Sequence, residues 1–506
     1  MHPQFTFLQL VLVLTCVVLS IPALIFLGGY VQIQVSICFF LLFFFLTWWQ
    51  TRNRFFFLLK SFYKAAILGL NNYKNLVIVA TLSSLAWMLI SGSGGVGFQH
   101  NDHKMNDVML YHLMHDDWPV IFSSKYLGVK FASTAQPLPL VYYIGHFLPA
   151  SLIGKLFGWT AANIAVFAWT WLELWLFFLL AGLYALPKVT SFRTYVLFLG
   201  LLMFTSGAGY IASSIHKIIN PAVIYGPENA MIWSFPLLFT SHIRLLLWAP
   251  QHTMGAWLLI LVIMHQLRTE FGLRWLGLPV VSSILCSPFA VLGAFPFLVV
   301  WLLKIIKSHQ MKMVFSPFNL VIGGLSLLCI TTYITSNSFS FPIVFLPEIW
   351  GKKNFLVRDA LFLFVELGGI ATILWFSRHS INSQERWLIL IAFLSLIGIT
   401  FFQIGLWNDW CARASISAIM MLGVFVARQV VIRKNANFSW KTLLFYGILL
   451  LNVLTPVTTD LANSLINYQV KTPPHRDFMS PSDDFVKQQR LGTMESVFFK
   501  YLARKN

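Results

Sequence analysis

The chain has 506 residues, 58% of them hydrophobic, 16% aromatic and 10% charged. Soluble domains carry roughly 25% charged residues, so this chain lacks the polar surface to coat its core in water. With 48 Phe and a mean hydropathy of +0.74, it reads as a polytopic integral membrane protein; coiled coil, disorder and disulfide scaffold are excluded. The five cysteines, Cys16, Cys38, Cys286, Cys329 and Cys411, show no CxxC spacing. The net charge of +18 (35 − 17) serves membrane orientation and anionic lipid, not nucleic acid.

In chain order, the first apolar run, 6–28, has no basic leader and reads as a retained span; a second covers 31–49. Arg52, Arg54, Lys60, Lys64 and Lys74 follow without an acid, which places that segment in the cytoplasm. Further spans are expected at 75–91, 160–186, 194–212, 250–267, 275–286, 288–303, 315–336, 356–377, 387–407, 411–430 and 440–457. The stretch 138–157 is apolar but begins Pro137-Leu138-Pro139. Letting it cross would turn twelve later Lys and Arg residues outward, so it is read as lying in the outer interface. The expectation is an all-α polytopic fold of about 13 transmembrane helices, N-terminus cytoplasmic and C-terminus outside. It divides into an N-terminal hairpin and basic loop (1–74), a transmembrane core with an acidic outer loop 92–159 (75–457), and a polar outer tail (458–506). On this topology Glu270 and Glu385 are cytoplasmic, Glu173 and Glu366 lie within spans, and the other thirteen acids are outside.

The loop after the third span carries the chemistry. A glycine-rich run from Gly92 to Gly97 leads into His100, Asp102, His103, Asp107, His112, His115, Asp116 and Asp117, eight His and Asp candidates for ligand or acid/base roles in 18 residues. Gly92, Gly94 and Gly97 match GxGxxG only in spacing; no strand or βαβ unit surrounds them, so a dinucleotide site is rejected and a flexible exit from the span is expected. Met105, Val108, Met109 and Leu113 predict an amphipathic interfacial helix over 104–115. Asp102 is either the cap of that helix or an acid/base group. His112, His115 and Asp116 are either solvated or share a divalent metal.

Other outer clusters are Arg244 with Gln251 and His252 at the mouth of the 250–267 span, Glu348 before the 356–377 span, and Asn408-Asp409-Trp410 with Arg413. Arg413 suits an anionic group at headgroup level or snorkels to lipid phosphate. Glu173 and Glu366, near the middle of their spans, are either functional intramembrane acids or a buried structural pair or protonated carboxyls.

The run Gly92–Asp102 with Trp118-Pro119, Tyr142-Tyr143, Leu148-Pro149, Gly154-Lys155, Pro250-Gln251-His252, Ser287-Pro288-Phe289 and Asn408-Asp409-Trp410…Arg413 resembles bacterial multi-spanning members of the GT-C superfamily of membrane glycosyltransferases. The usual pattern places the acidic loop after the first span; here a hairpin precedes it. The resemblance, over about 75–430, implies sugar transfer from a polyprenyl-phosphate donor to an envelope glycan, lipid or protein acceptor on the periplasmic face of an inner membrane. Asp102 is then the general base of an inverting displacement. Arg244, Gln251, His252, Asp409 and Arg413 bind the sugar and phosphate, with His103, Asp107 and Glu348 in support. No cofactor is required, although part of the superfamily uses a divalent metal. The rival expectation is a transporter or flippase of a lipid-linked saccharide, which wants intramembrane carboxyls such as Glu173 and Glu366 and an internal repeat.

Overall fold

A computed structural model describes residues 6–52, 55–123, 137–219, 233–269, 273–338, 342–405, 407–433, 440–475 and 489–505; Glu270 of the sidedness reading lies outside them. The chain is 77% helical, an all-α polytopic membrane protein. Among the described residues, eight helices are long and apolar enough to cross a bilayer.

α1 (Phe7–Gly29) and α2 (Ile33–Thr51) form a hairpin; α3 (Phe55–Asn72) makes a helix of the basic segment, and α4 (Lys74–Met88) returns. α5 (Asn101–His115) and the short pair β1 (Ile121–Phe122) and β2 (Leu138–Pro139) occupy the acidic loop. α6 (Leu148–Phe157) packs as a hairpin on α7 (Trp159–Ala185). The ten residues of α6 rise about 15 Å. α8 (Phe192–Phe204), α9 (Gly209–Ile219), α10 (His242–Trp248) and α11 (Pro250–Thr269) follow. Then come α12 (Gly277–Cys286), α13 (Pro288–Lys307), α14 (Met311–Val314), α15 (Gly324–Ile334), β3 (Val344–Phe345), α16 (Leu346–Trp350), α17 (Lys352–Phe376) and α18 (Ser383–Ile399). β4 (Phe402–Gln403), α19 (Asp409–Ala414), α20 (Ile416–Ile432), α21 (Trp440–Pro456) and α22 (Ala462–Ile466) complete the order. The last span runs longer than expected: helical structure continues past 457 to Ile466, so Asp460 belongs to the bundle and not to the polar tail.

Helices α7, α11 and α20 form the centre. α11 is buried from Pro250 to Leu267 and α20 from Ile416 to Val431, and Phe177 stacks on Trp257 with ring centroids 4.5 Å apart. Elsewhere large apolar side chains point outward, among them Leu41, Phe44, Trp48, Leu361, Phe364 and Leu394; in water such a surface would be an aggregation hazard, in lipid it is the solvent-facing side. Hydroxyls inside helices bond back to the carbonyl four residues earlier, as Thr15 to Val11 (2.8 Å), Thr81 to Val77 (2.8 Å) and Thr170 to Val166 (2.8 Å), so no polar group is offered to lipid there.

The two ends of the bundle are built differently. One is closed by ions: Glu385 accepts from Arg268 (2.7 Å) and from both terminal nitrogens of Arg428 (2.6 and 2.8 Å), and Lys304 donates to the Leu267 carbonyl (2.6 Å). At the other end the acidic loop and the C-terminal segment are sewn together. The backbone of Gly97 donates to Gln469 (2.8 Å), Lys471 to Gly95 (3.0 Å), Val141 to Arg490 (2.8 Å), Gly492 to Pro139 (2.8 Å) and Arg504 to Tyr30 (2.9 Å), and the Trp159 indole donates to Pro473 (2.7 Å). The described part of the tail thus packs against the loop.

Candidate functional site

The site begins with the glycine run. Gly92 has φ +81° and Gly94 φ +64°, and both are crowded: a Cβ at Gly92 would lie 2.6 Å from His103 Nε2, and one at Gly94 2.3 Å from the Asn163 carbonyl of α7. Left-handed backbone against such close neighbours leaves room for hydrogen alone. The run is therefore a tight turn that docks α5 onto α7, not the flexible exit expected.

α5 starts three residues earlier than predicted. Its N-cap is His100, which makes no side-chain cap bond, and Asp102 sits inside the first turn. The capping alternative for Asp102 is thereby removed, while its place in the first turn suits an anion at the positive end of the helix dipole. Asp102 is exposed to solvent at the mouth of a densely packed neighbourhood. Desolvation by that neighbourhood pushes its pKa above the usual 3.8, against the pull of Arg490, Arg413 and His103. Beside it, His103 is buried; its Nε2–H donates to the Leu247 carbonyl (2.8 Å), and desolvation lowers its pKa, keeping the ring neutral.

His103, Asn106, Asp107 and Leu110 recur at helical spacing and form one wall of a small cleft. The other walls are the glycine turn, His146 and Phe147, Asn163 and Val166 of α7, and Pro250 and Gln251 at the start of α11. Under the cleft His146 Nδ1 lies 3.1 Å from Glu173 Oε2 and its Nε2 3.1 Å from the Thr170 hydroxyl. Glu173 is thus a buried structural partner of a histidine that composition gave no reason to single out.

Opposite, Arg413 and Asp409 pair at 2.9 Å within α19. Asn408 enters that helix in the left-handed region (φ 51°), which Asn tolerates. Its Oδ1 accepts from Cys411 N (3.3 Å) while its Nδ2 donates to Pro236 (3.0 Å). The Arg413 guanidinium lies 5.4 Å from the Tyr143 ring, which stacks on Tyr142 (4.5 Å) and meets His252 edge-on (5.4 Å). Arg490 lies over Tyr142 at 4.8 Å. Asp102, His103, His252, Asp409, Arg413, Tyr142, Tyr143 and Arg490 thus share one electrostatic neighbourhood, each acting on at least one other.

The remaining predicted residues lie apart. Arg244 pairs with Asp460 (3.7 Å) and stacks on Trp248 (4.6 Å), which in turn covers His100 (4.2 Å). It flanks the site: burial, His103 and Arg244 together bring His100 down to about 3, so His100 is neutral. Glu348 is exposed on α16. His112 bonds Asp116 (2.8 Å), whereas His115 turns to the Tyr111 carbonyl (3.1 Å). Among the described residues no group of three or more His, Cys, Asp or Glu side chains converges as metal ligands. Arg490 is the residue sequence reasoning missed; it stands in a polar tail with no motif around it.

The fold defines the class, a polytopic helical membrane protein. No protein-family model matches this chain, and neither a curated protein nor a solved structure matches it.

Proposed function

We propose that this protein is a GT-C-like glycosyltransferase of a bacterial inner membrane, moving a sugar from a polyprenyl-phosphate donor to an envelope glycan, lipid or protein acceptor at the periplasmic face. The observation that carries the proposal is the gathering in one neighbourhood of a carboxylate with raised pKa, a paired arginine and two stacked tyrosines, at the end of a bundle whose outer helices face lipid. A prenyl donor needs this arrangement: its tail stays in the bilayer while phosphate and sugar reach a polar cavity.

In the reaction the acceptor hydroxyl oxygen bonds to the anomeric carbon as the bond from that carbon to the phosphate oxygen breaks, inverting the centre. The hydroxyl proton passes to Asp102, and the bond's electrons leave on the prenyl phosphate, whose charge Arg413 stabilises. A carboxylate with a raised pKa is a stronger base than an ordinary aspartate. Asp409 holds Arg413, His252 and Gln251 offer polar atoms to sugar or phosphate, and His103 and Asp107 shape the cleft. Glu348 and Arg244 serve elsewhere in the chain. A divalent cation at His112, His115 and Asp116 would require His115 to leave the Tyr111 carbonyl, so no step is routed through a metal.

Thirteen passes are supported by the contacts at the two ends. α1, α4, α8, α12, α15, α18 and α21 run toward the site, and α2, α7, α11, α13, α17 and α20 run away from it. An odd count puts the two termini on opposite sides, and the basic segment between α2 and α4 favours a cytoplasmic N-terminus with the C-terminus and the site in the periplasm. A transporter is the second reading; it draws on Glu366, which with Ser206 and Ser241 lines a small cavity among the helices.

The leaflet in which a lipid-linked sugar accumulates in a deletion strain separates the two. Loss of a transferase leaves donor in the outer leaflet, open to periplasmic enzymes. Donor confined to the cytoplasmic leaflet would transfer the assignment to the transporter.

A further inference from the structure

The C-terminal segment does more than cover the loop. Arg490 is 7% exposed, and among the described residues its Nη1 has no hydrogen-bond partner. A guanidinium held out of water without an acceptor is costly, and no described carboxylate forms an ion pair with it. Nor is its position an accident of a loose tail. The backbone on both sides is pinned: Asn337 Nδ2 donates to the Gln489 carbonyl (2.8 Å), Val141 N to the Arg490 carbonyl (2.8 Å), and Gly492 N to Pro139 (2.8 Å). Asn337 Nδ2 also reaches the Val141 carbonyl (2.8 Å), so a single amide ties tail and loop together.

The side chain lies over Tyr142, as Arg413 lies over Tyr143, and the two rings stack with centroids 4.5 Å apart. Two guanidinium groups thus ride on adjoining rings of one aromatic pair. Arg413 is satisfied by Asp409; Arg490 keeps donors in reserve. We infer that Arg490 and Arg413 form a two-guanidinium clamp for a phosphate group, the tail supplying one half. This rests on the lipid-phosphate donor proposed above and adds a phosphate-binding residue to it. The planar fork of arginine suits two oxygens of one phosphate, and the charge the ligand brings completes the buried donor.

The test uses the full chain in lipid nanodiscs, with farnesyl phosphate as probe, farnesol as its uncharged counterpart and inorganic phosphate as the free anion, affinity being read from quenching of tryptophan fluorescence. Wild type should bind farnesyl phosphate at least tenfold more tightly than farnesol. Arg490→Gln should weaken farnesyl phosphate by about 10- to 100-fold, the value of a charge-assisted contact, and leave farnesol unchanged; Arg490→Lys should fall between. Should Arg490→Gln fail to fold, Asn337→Ala, which keeps the arginine and loosens its mounting, carries the test and should weaken the same ligand. Arg490→Gln and Asn337→Ala proteins that are folded and bind farnesyl phosphate like wild type overturn the clamp and leave the donor reading standing. Wild type that binds farnesol as well as farnesyl phosphate overturns both. Equal affinity for inorganic phosphate supports the clamp but makes its ligand a free anion.

Discussion

Glu385 offers the sharpest energetic test of the bundle. Its carboxylate, on a residue 3% exposed, takes three short bonds from Arg268 and Arg428. Glu385→Gln removes the negative charge and leaves Arg428 buried at 7% exposure beside its former partner. Breaking one side of a buried ion pair costs about 3–5 kcal/mol. The lower end, about 3 kcal/mol, applies here, because Arg268 is part-exposed and its guanidinium lies 3.5 Å from the Tyr184 ring, which supports it without Glu385. For a chain of this size that corresponds to a drop on the order of 5 °C in the apparent unfolding midpoint of detergent-solubilised protein. The reasoning has a second arm. Adding Arg428→Met removes the orphaned charge and should restore most of the loss, since apolar replacement of a buried pair is near neutral. A Glu385→Gln midpoint within 1 °C of wild type, or a double variant no better than the single, would show that water reaches Arg428 and refute the account of this end.

Other expectations concern the site. Gly94→Ala places a methyl 2.3 Å from the Asn163 carbonyl at φ +64°, so both strain and overlap act; a loss of about 2 kcal/mol or more in stability with weakened donor binding is expected in thermal unfolding and ligand titration. Transfer activity should fall on the acid side at a pH above the ordinary aspartate range, because desolvation holds the Asp102 pKa up and protonation removes the base; an acid limb at or below pH 4 in a pH–rate profile would contradict this. The same raised value has a stability sign. The folded state takes the proton more readily than the unfolded chain, so ionised Asp102 lowers stability as pH rises through the window between the two values. Asp102→Asn should therefore unfold at a midpoint no lower than wild type at pH 7, a result that separates lost chemistry from lost folding.

Much of this architecture was legible in the residues. Apolar runs bounded by basic clusters placed the helices. The unusual density of ionisable groups between Gly92 and Pro119 marked the loop on which the site is built, and Asn408-Asp409-Trp410…Arg413 stood out as a polar turn, which the structure shows to be the short helix α19. What stayed hidden depends on distance in space. Nothing local to Gln489-Arg490-Leu491-Gly492 says that its backbone pairs with Pro139 and Val141, because bridges between segments some 350 residues apart leave no periodicity. His146 reads as one polar residue in an apolar stretch until α7 brings Glu173 to it. Arg244 had the type and neighbours of a phosphate ligand, but Asp460, read as tail, turned out to be helical and claimed it. The glycine run was misjudged for the opposite reason: small residues permit motion in isolation, but here their lack of a Cβ permits contact.

The central claim, that Asp102 is the base of a sugar transfer, is tested most directly by profiling polyprenyl-phosphate sugars and surface glycans in three strains. These are a deletion, the deletion carrying wild type, and the deletion carrying Asp102→Asn, with membrane abundance of both proteins verified. A general base contributes about 10²- to 10⁴-fold, so the Asn strain should accumulate donor lipid and lack the same surface sugar as the deletion while holding normal amounts of folded protein. An Asn strain whose lipids and glycans match wild type would contradict the assignment.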